Sequence, residues 1–188
     1  MNYFSSRNKN LNLSFKDIFF KGLSEDGGLF LPHQIPSLSD SVLKNFESCN
    51  FQEMSFEIFK LYTGNTFNND DLKKIINKAY SQFRNSNIVD VKKIDHISYV
   101  QLYHGPTLAF KDIAMQVLGG MYEFLLNDNN EKINLVTATS GDTGAAAIDA
   151  MHGKKNINIF VLHPHNKISS VQRQLMTTYK ANNVFNLA

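Results

Sequence analysis

Tryptophan is absent from this chain, cysteine occurs once, proline four times, and neither sign of charge is in marked excess. Each shortage excludes something. A lone Cys49 rules out an internal disulfide and fits a reducing compartment. No apolar run approaches the ~20 residues that a membrane span needs, and the polar stretch from Asn2 to Asn12 lacks the apolar core of a secretory signal. A net charge of +2 with scattered lysines argues against a nucleic-acid groove. Six histidines without a cysteine cluster make no zinc pattern, so no metal is expected. What is present, 188 residues of which 43% are hydrophobic and 19% charged, is the make-up of an ordinary globular protein with one medium domain or two small ones. The expectation is a soluble cytoplasmic protein that binds a small molecule, with no nucleic-acid and no membrane partner.

The first part of the chain reads as mostly helical after a polar N-terminal tail. Ser14 is placed to cap a helix, and Asp17 at its third position suits the positive end of the dipole. Phe15, Ile18, Phe19 and Leu23 make its apolar stripe, and Gly22 ends it. Gly27-Gly28 supplies a tight turn before a short buried strand, Leu29-Phe30-Leu31, closed by Pro32. Glu25 and Asp26 in that turn read as solvated carboxylates. A helix then runs from Ser39 or Asp40 to Phe46. A second is capped by Ser55 and stopped by Gly64. A third is capped by Asn69 or Asp70 and carries Leu72, Ile75, Ile76, Ala79, Tyr80 and Phe83 on one face. Asn85-Ser86-Asn87 marks a boundary.

Beyond it the texture alternates between strands and helices. A strand over Tyr99–Tyr103 feeds a helix over Lys111–Leu126, with Asn127-Asp128-Asn129-Asn130 as a turn. Strands at Ile133–Ala138 and Ile157–Leu162, helices at Ala145–Met151 and Ser169–Tyr179, and a last strand from about Asn183 complete the pattern. Such βαβ alternation predicts a parallel sheet. Within it, His104-Gly105-Pro106-Thr107-Leu108-Ala109-Phe110-Lys111-Asp112 joins a strand to a helix and sets Lys111 where the helix begins. The dipole disfavours a cation there, and apolar Ala109 and Phe110 disfavour charge. Both effects favour the neutral, nucleophilic amine that Schiff-base chemistry uses. A solvated surface lysine fits the same residues. The loop Thr139-Ser140-Gly141-Asp142-Thr143-Gly144 leaves a strand and enters a helix, which makes an anion site of its N–H groups and hydroxyls. A helix cap by Ser140 or Asp142 is the simpler alternative. It is neither a P-loop nor a dinucleotide loop. His163 and His165 flank Pro164 without an acidic or thiol partner, and Gln172 and Arg173 either reach the site or face solvent.

Five segments in order, Ser5-Ser6-Arg7, Gly22–Pro32, His104–Asp112, Thr139–Gly144 and Ser169–Met176, resemble the N-terminal part of threonine synthases. Two positions depart from the family pattern: Ser6 replaces a common threonine and His163 a common tyrosine. The resemblance implies an α/β fold: a small, mostly helical N-terminal domain over residues 1–87, then over 88–188 the start of a parallel-sheet domain. That second domain is of the fold-type II pyridoxal-phosphate class, which is tryptophan synthase β-like. It implies a pyridoxal-phosphate lyase that converts O-phospho-L-homoserine and water to L-threonine and phosphate. Lys111 would be the catalytic, cofactor-bearing lysine. Asp142 would lie near the cofactor's ring hydroxyl and point away from the substrate. Thr139, Ser140, Gly141, Thr143 and Gly144 would bind the substrate carboxylate. Monomer and homodimer both stay open. Because the chain stops inside its βαβ rhythm, it is expected to be a fragment that binds the cofactor weakly alone. The alternatives are a threonine synthase-like phospholyase with the same machinery, or a non-catalytic binding role.

Overall fold

The computed structural model describes residues 1–129 and 131–188, the side chains of 128 and 129 excepted. They form two compact units, Met1–Lys74 and Ile75–Ala188. In the first, β1 (Asn2–Ser5) is the middle strand of a three-stranded antiparallel sheet between β2 (Asn8–Ser14) and β3 (Phe30–Pro32). The polar N-terminal stretch, read from sequence as a tail, is therefore two paired strands. Its alternation is hidden because only Tyr3 and Ser5 of β1 are buried and β2 is rich in asparagine. Tyr3 donates its hydroxyl to the Tyr62 carbonyl at 2.6 Å. Burial, followed by the charge of Tyr62, pushes the Tyr3 phenol up to about 12. Ser5 is fully buried and donates to Asp26 Oδ1 at 2.7 Å, while Arg7 Nη1 donates to the Asp26 carbonyl at 2.9 Å. The Ser5–Arg7 and Gly22–Pro32 segments thus clasp one another.

Helix α1 (Phe15–Lys21) starts with a capping box between Ser14 and Asp17 and ends at Gly22, as expected. Leu23, assigned to its apolar stripe, is instead 58% exposed, because the stripe ends with the helix. The Leu29–Leu31 strand is not buried either. Both leucines are exposed, and pairing with β1 rather than burial holds the segment extended. Helix α2 (Asp40–Phe46) is capped by Ser39. Helix α3 (Phe51–Thr63) starts five residues earlier than the Ser55 cap predicts. Asn50 and Glu53 form its capping box, and Ser55 donates back to the Phe51 carbonyl inside the helix. Helix α4 (Asn69–Tyr80) is capped by Asn68, whose Oδ1 accepts from Asp71 N at 2.8 Å.

The second unit opens with β4 (Asp90–Ile94) and β5 (Ile97–Gln101), an antiparallel two-stranded ribbon. The strand expected to begin the parallel sheet is therefore elsewhere. A run of apolar and aromatic residues signals a strand without naming its partner. Here Asp95, at φ 53°, turns the chain straight back, and so short a connection permits only antiparallel pairing. Helix α5 (Asp112–Asn129) continues through most of the predicted 127–130 turn, and Asn130 lies outside the described residues. Next come β6 (Ile133–Ala138), α6 (Asp142–Met151), β7 (Ile157–Leu162), α7 (Ser170–Thr177) and β8 (Val184–Leu187). The strands form a parallel sheet in the order β6-β7-β8, with both inner registers unbroken. Ile157, Ile159 and Val161 of β7, Ala146, Ile148 and Met151 of α6, and Met176 of α7 are buried. No helix among the described residues is long and apolar enough to cross a membrane.

Candidate functional site

The turn that carries Lys111 is held from inside by the next residue. Asp112 is fully buried and accepts from Thr107 N at 2.8 Å and from Thr107 Oγ1 at 2.6 Å. Gly105 packs on the same carboxyl, where any side chain would collide with Asp112. From outside, Arg84 N donates to the His104 carbonyl at 2.8 Å and Arg84 Nη2 to the Pro106 carbonyl at 3.3 Å. Burial raises the Asp112 carboxyl above the ordinary range, helped by the charge of Asp149 and opposed by the Thr107 bonds. His104, at the start of this turn, has a buried Nε2 without a hydrogen-bond partner among the described residues, 3.9 Å from Asp90 Oδ2.

Lys111 directly precedes α5, and its carbonyl accepts from Ala114 N and Met115 N. Its ammonium lies 3.9 Å from the centre of the Phe110 ring and 4.0 Å from Asp142 Oδ2. A ring face and a carboxylate both attract a cation. The apolar surroundings expected from Ala109 and Phe110 are thus only part of its environment.

Asp142 belongs to the first turn of α6, which begins three residues before the predicted start at Ala145. Gly141 is the N-cap at φ 145°, a conformation closed to other residues, and no side chain of its own caps the helix. Thr139 takes that part, its Oγ1 accepting from Gly141 N at 3.0 Å and from Gly144 N at 3.1 Å. The cap foreseen from Ser140 or Asp142 is thus supplied by a third residue. The first-turn amides of Asp142 and Thr143 have no acceptor among the described residues and point, with the dipole, out of the helix start.

Two segments some 30 residues apart in the chain are therefore brought together: Lys111 with Asp142, and Asp142 with the N-terminus of α6. Gln172 of α7 joins them, donating from Nε2 to Asp142 Oδ1 at 2.8 Å. The sequence left open whether Gln172 reaches the site or faces solvent. Ser169 does cap α7, but the Gln172 amide turns to Asp142. Asp112 and Thr107 went unassigned, although an acid next to the lysine and a threonine five residues before it were visible. His163 and His165 line an open cleft with Arg173 and Asn186, and no group of three or more His, Cys, Asp or Glu among the described residues is placed to hold a metal ion.

Residues 2–80 match the family model described as the threonine synthase N terminus. Threonine synthase from Schizosaccharomyces pombe is 38% identical over 194 residues, covering 98% of this chain and 38% of that protein. Its counterpart from Pseudomonas aeruginosa is 35% identical, covering all of this chain and 40% of the relative. A crystal structure of PLP-bound threonine synthase from Brucella melitensis superimposes with a TM-score of 0.92 at 35% identity, over 100% of this chain and 41% of that one. Along its length the chain is similar to the N-terminal part of these threonine synthases. It spans about two fifths of the length of these relatives. All five segments that carried the resemblance lie within that shared part, and the likeness to threonine synthases extends from sequence to fold.

Proposed function

We propose that this chain supplies the cofactor lysine and the substrate-carboxylate loop of a threonine synthase. The full-length protein would convert O-phospho-L-homoserine and water to L-threonine and phosphate. The observation that carries the reading is the meeting of the Lys111 amine, the Asp142 carboxylate and two free amides at one helix start. That donor set suits pyridoxal phosphate: a primary amine for its aldehyde, a carboxylate for its ring hydroxyl, and N–H groups for the substrate's carboxylate. In this reading residues 1–87 are the N-terminal domain, 88–188 begin the fold-type II catalytic domain, and the enzyme is cytoplasmic.

Lys111 would hold the cofactor, and Asp142 would face it. Bound there, pyridoxal phosphate supplies an electron sink that stabilises negative charge beside a carbon losing its proton. The chain's own residues do the rest. The Asp112–Thr107 clasp fixes the turn so that the Lys111 amine stays over the helix start. There, as a base and then an acid, it moves protons at the substrate's Cα and Cβ. The amides of Asp142 and Thr143 and the hydroxyls of Ser140 and Thr143 bind the carboxylate. Thr139, Gly141 and Gly144 shape the loop that presents them.

The test is made on the full-length protein loaded with cofactor. Borohydride reduction and peptide mapping should place the pyridoxyl group on Lys111, and a label on another lysine would overturn the assignment. Losing one hydrogen bond to a charged group costs roughly 1.5–3 kcal/mol. Thr143→Val should therefore weaken phosphohomoserine binding about 10- to 150-fold and leave the cofactor absorbance intact. Threonine among the products separates this activity from a phospholyase that releases phosphate alone.

A further inference from the structure

We propose that Gln172 is a positioning residue that restrains Asp142 and keeps its carboxylate from closing on the Lys111 amine. The meaning of this restraint for catalysis rests on Lys111 being the cofactor lysine, but the geometry stands without that reading. Ser169 Oγ donates to Gln172 Oε1 at 3.1 Å, which turns Nε2 of the same amide toward Asp142. Nε2 then donates to Asp142 Oδ1 at 2.8 Å. The other oxygen, Oδ2, stops 4.0 Å from Lys111 Nζ, beyond hydrogen-bond range. Gly141 is shaped for this arrangement, because a side chain there would collide with the Gln172 amide. The Asp142 side chain is 50% exposed, so without Gln172 little would stop it from rotating onto the amine.

The charged groups around the pair are few. Asp112, next to Lys111 in the chain, is tied to Thr107. On α7 the charge beside Gln172 is Arg173, which is exposed. On α6 it is Asp142 itself, and no other carboxylate among the described residues lies within 4.0 Å of Lys111 Nζ. A closed ion pair would hold the amine in its ammonium form and out of reach of an aldehyde. The restraint leaves the carboxylate near enough to orient the amine without capturing it.

The experiment uses the full-length protein freed of cofactor. Trace acetylation with acetic anhydride across a pH series, read by mass spectrometry at Lys111 against exposed Lys44, gives the pH midpoint of the amine. Gln172→Leu should move that midpoint up by about one pH unit, so that acetylation below it slows roughly tenfold. In an Asp142→Asn background the same substitution should change nothing, since no carboxylate remains to be released. Gln172→Glu, which keeps the side-chain shape but repels Asp142, should move the midpoint in the same direction and serves if the leucine variant fails to fold. An unchanged or lowered midpoint, or a slowdown that persists in the Asp142→Asn background, would overturn the proposal. A misplaced pyridoxyl label bears on the cofactor reading alone, because this measurement contains no cofactor.

Discussion

Asp112 shows how one buried acid shapes the neighbouring lysine. Its two oxygens take the amide and the hydroxyl of Thr107, closing the turn whose next-to-last residue is Lys111. Burial is nevertheless the larger influence and raises the carboxyl above 3.8. A carboxyl raised on folding favours the native state below its unfolded value, and that contribution is lost as pH rises through the folded value. Asp112→Asn should therefore destabilise most at acidic pH, by about 1–3 kcal/mol for the mismatched hydrogen bonds. Its cost should shrink as pH climbs from 3.8. Urea unfolding at several pH values checks this, and a cost that grew with pH would mean that the Thr107 bonds outweigh burial. The placement of Lys111 at a helix start was legible, because the Gly-Pro break and the helical apolar spacing both point to it. Its contact with Asp142 was not, since neither residue has a local signal for the other.

At the scale of elements, a second carboxylate works with the opposite sign. Glu123 on α5 receives Lys154 Nζ at 2.6 Å and Lys78 Nζ at 3.1 Å, which ties α5 to the turn after α6 and to α4. Burial alone would raise the Glu123 carboxyl, but the two lysines, through hydrogen bonds and charge, hold it below 4.5. The stability it brings is present above 4.5 and fades as pH falls through the folded value. Glu123→Gln should cost about 1 kcal/mol at neutral pH, after allowance for solvent screening of a partly exposed group. It should cost nearly nothing once acid has discharged the wild-type carboxylate, and thermal melts at neutral and acidic pH compare the two. Elements with a cap or a buried apolar run were readable: α1, α2 and α7 from Ser14, Ser39 and Ser169, and β6 and β7 to the residue. Elements fixed by distant pairing were not. β1 and β2 look polar, and it is the pairing of β1 with β2 on one side and β3 on the other that makes them strands. β5 reads as a strand, but its partner is decided by the Asp95 turn. The early start of α6 depends on Thr139, whose hydroxyl caps from outside the helix.

On the scale of the molecule, the parallel sheet has two unlike faces. One carries Ile157, Ile159 and Val161, all buried. The other carries a row across all three strands, Val136 beside Phe160 beside Phe185, with the two phenyl rings stacked at 4.7 Å. Val136 is 67% exposed and Phe185 40%, and Leu162 and Leu187 continue the apolar surface. The parallel order followed from the βαβ alternation, but which face meets solvent did not, because an apolar run such as Ile157–Leu162 reads alike on both sides. Among the described residues β6 and β8 also have only one neighbour each, so backbone groups as well as side chains are open to pairing. Removing apolar surface from water stabilises contact by ~25 cal/mol per Å², and a continuous patch of this kind drives association of identical chains. Residues 1–188 prepared alone should therefore self-associate, with an apparent mass in sedimentation velocity that rises with concentration. Val136→Lys combined with Phe185→Lys places two like charges in the exposed row without touching the buried face. The double variant should run as a monomer with the far-ultraviolet spectrum of the parent. If the parent is already monomeric at high concentration, the exposed row is not sticky enough to matter. Association that survives both lysines would instead assign it to the strand edges.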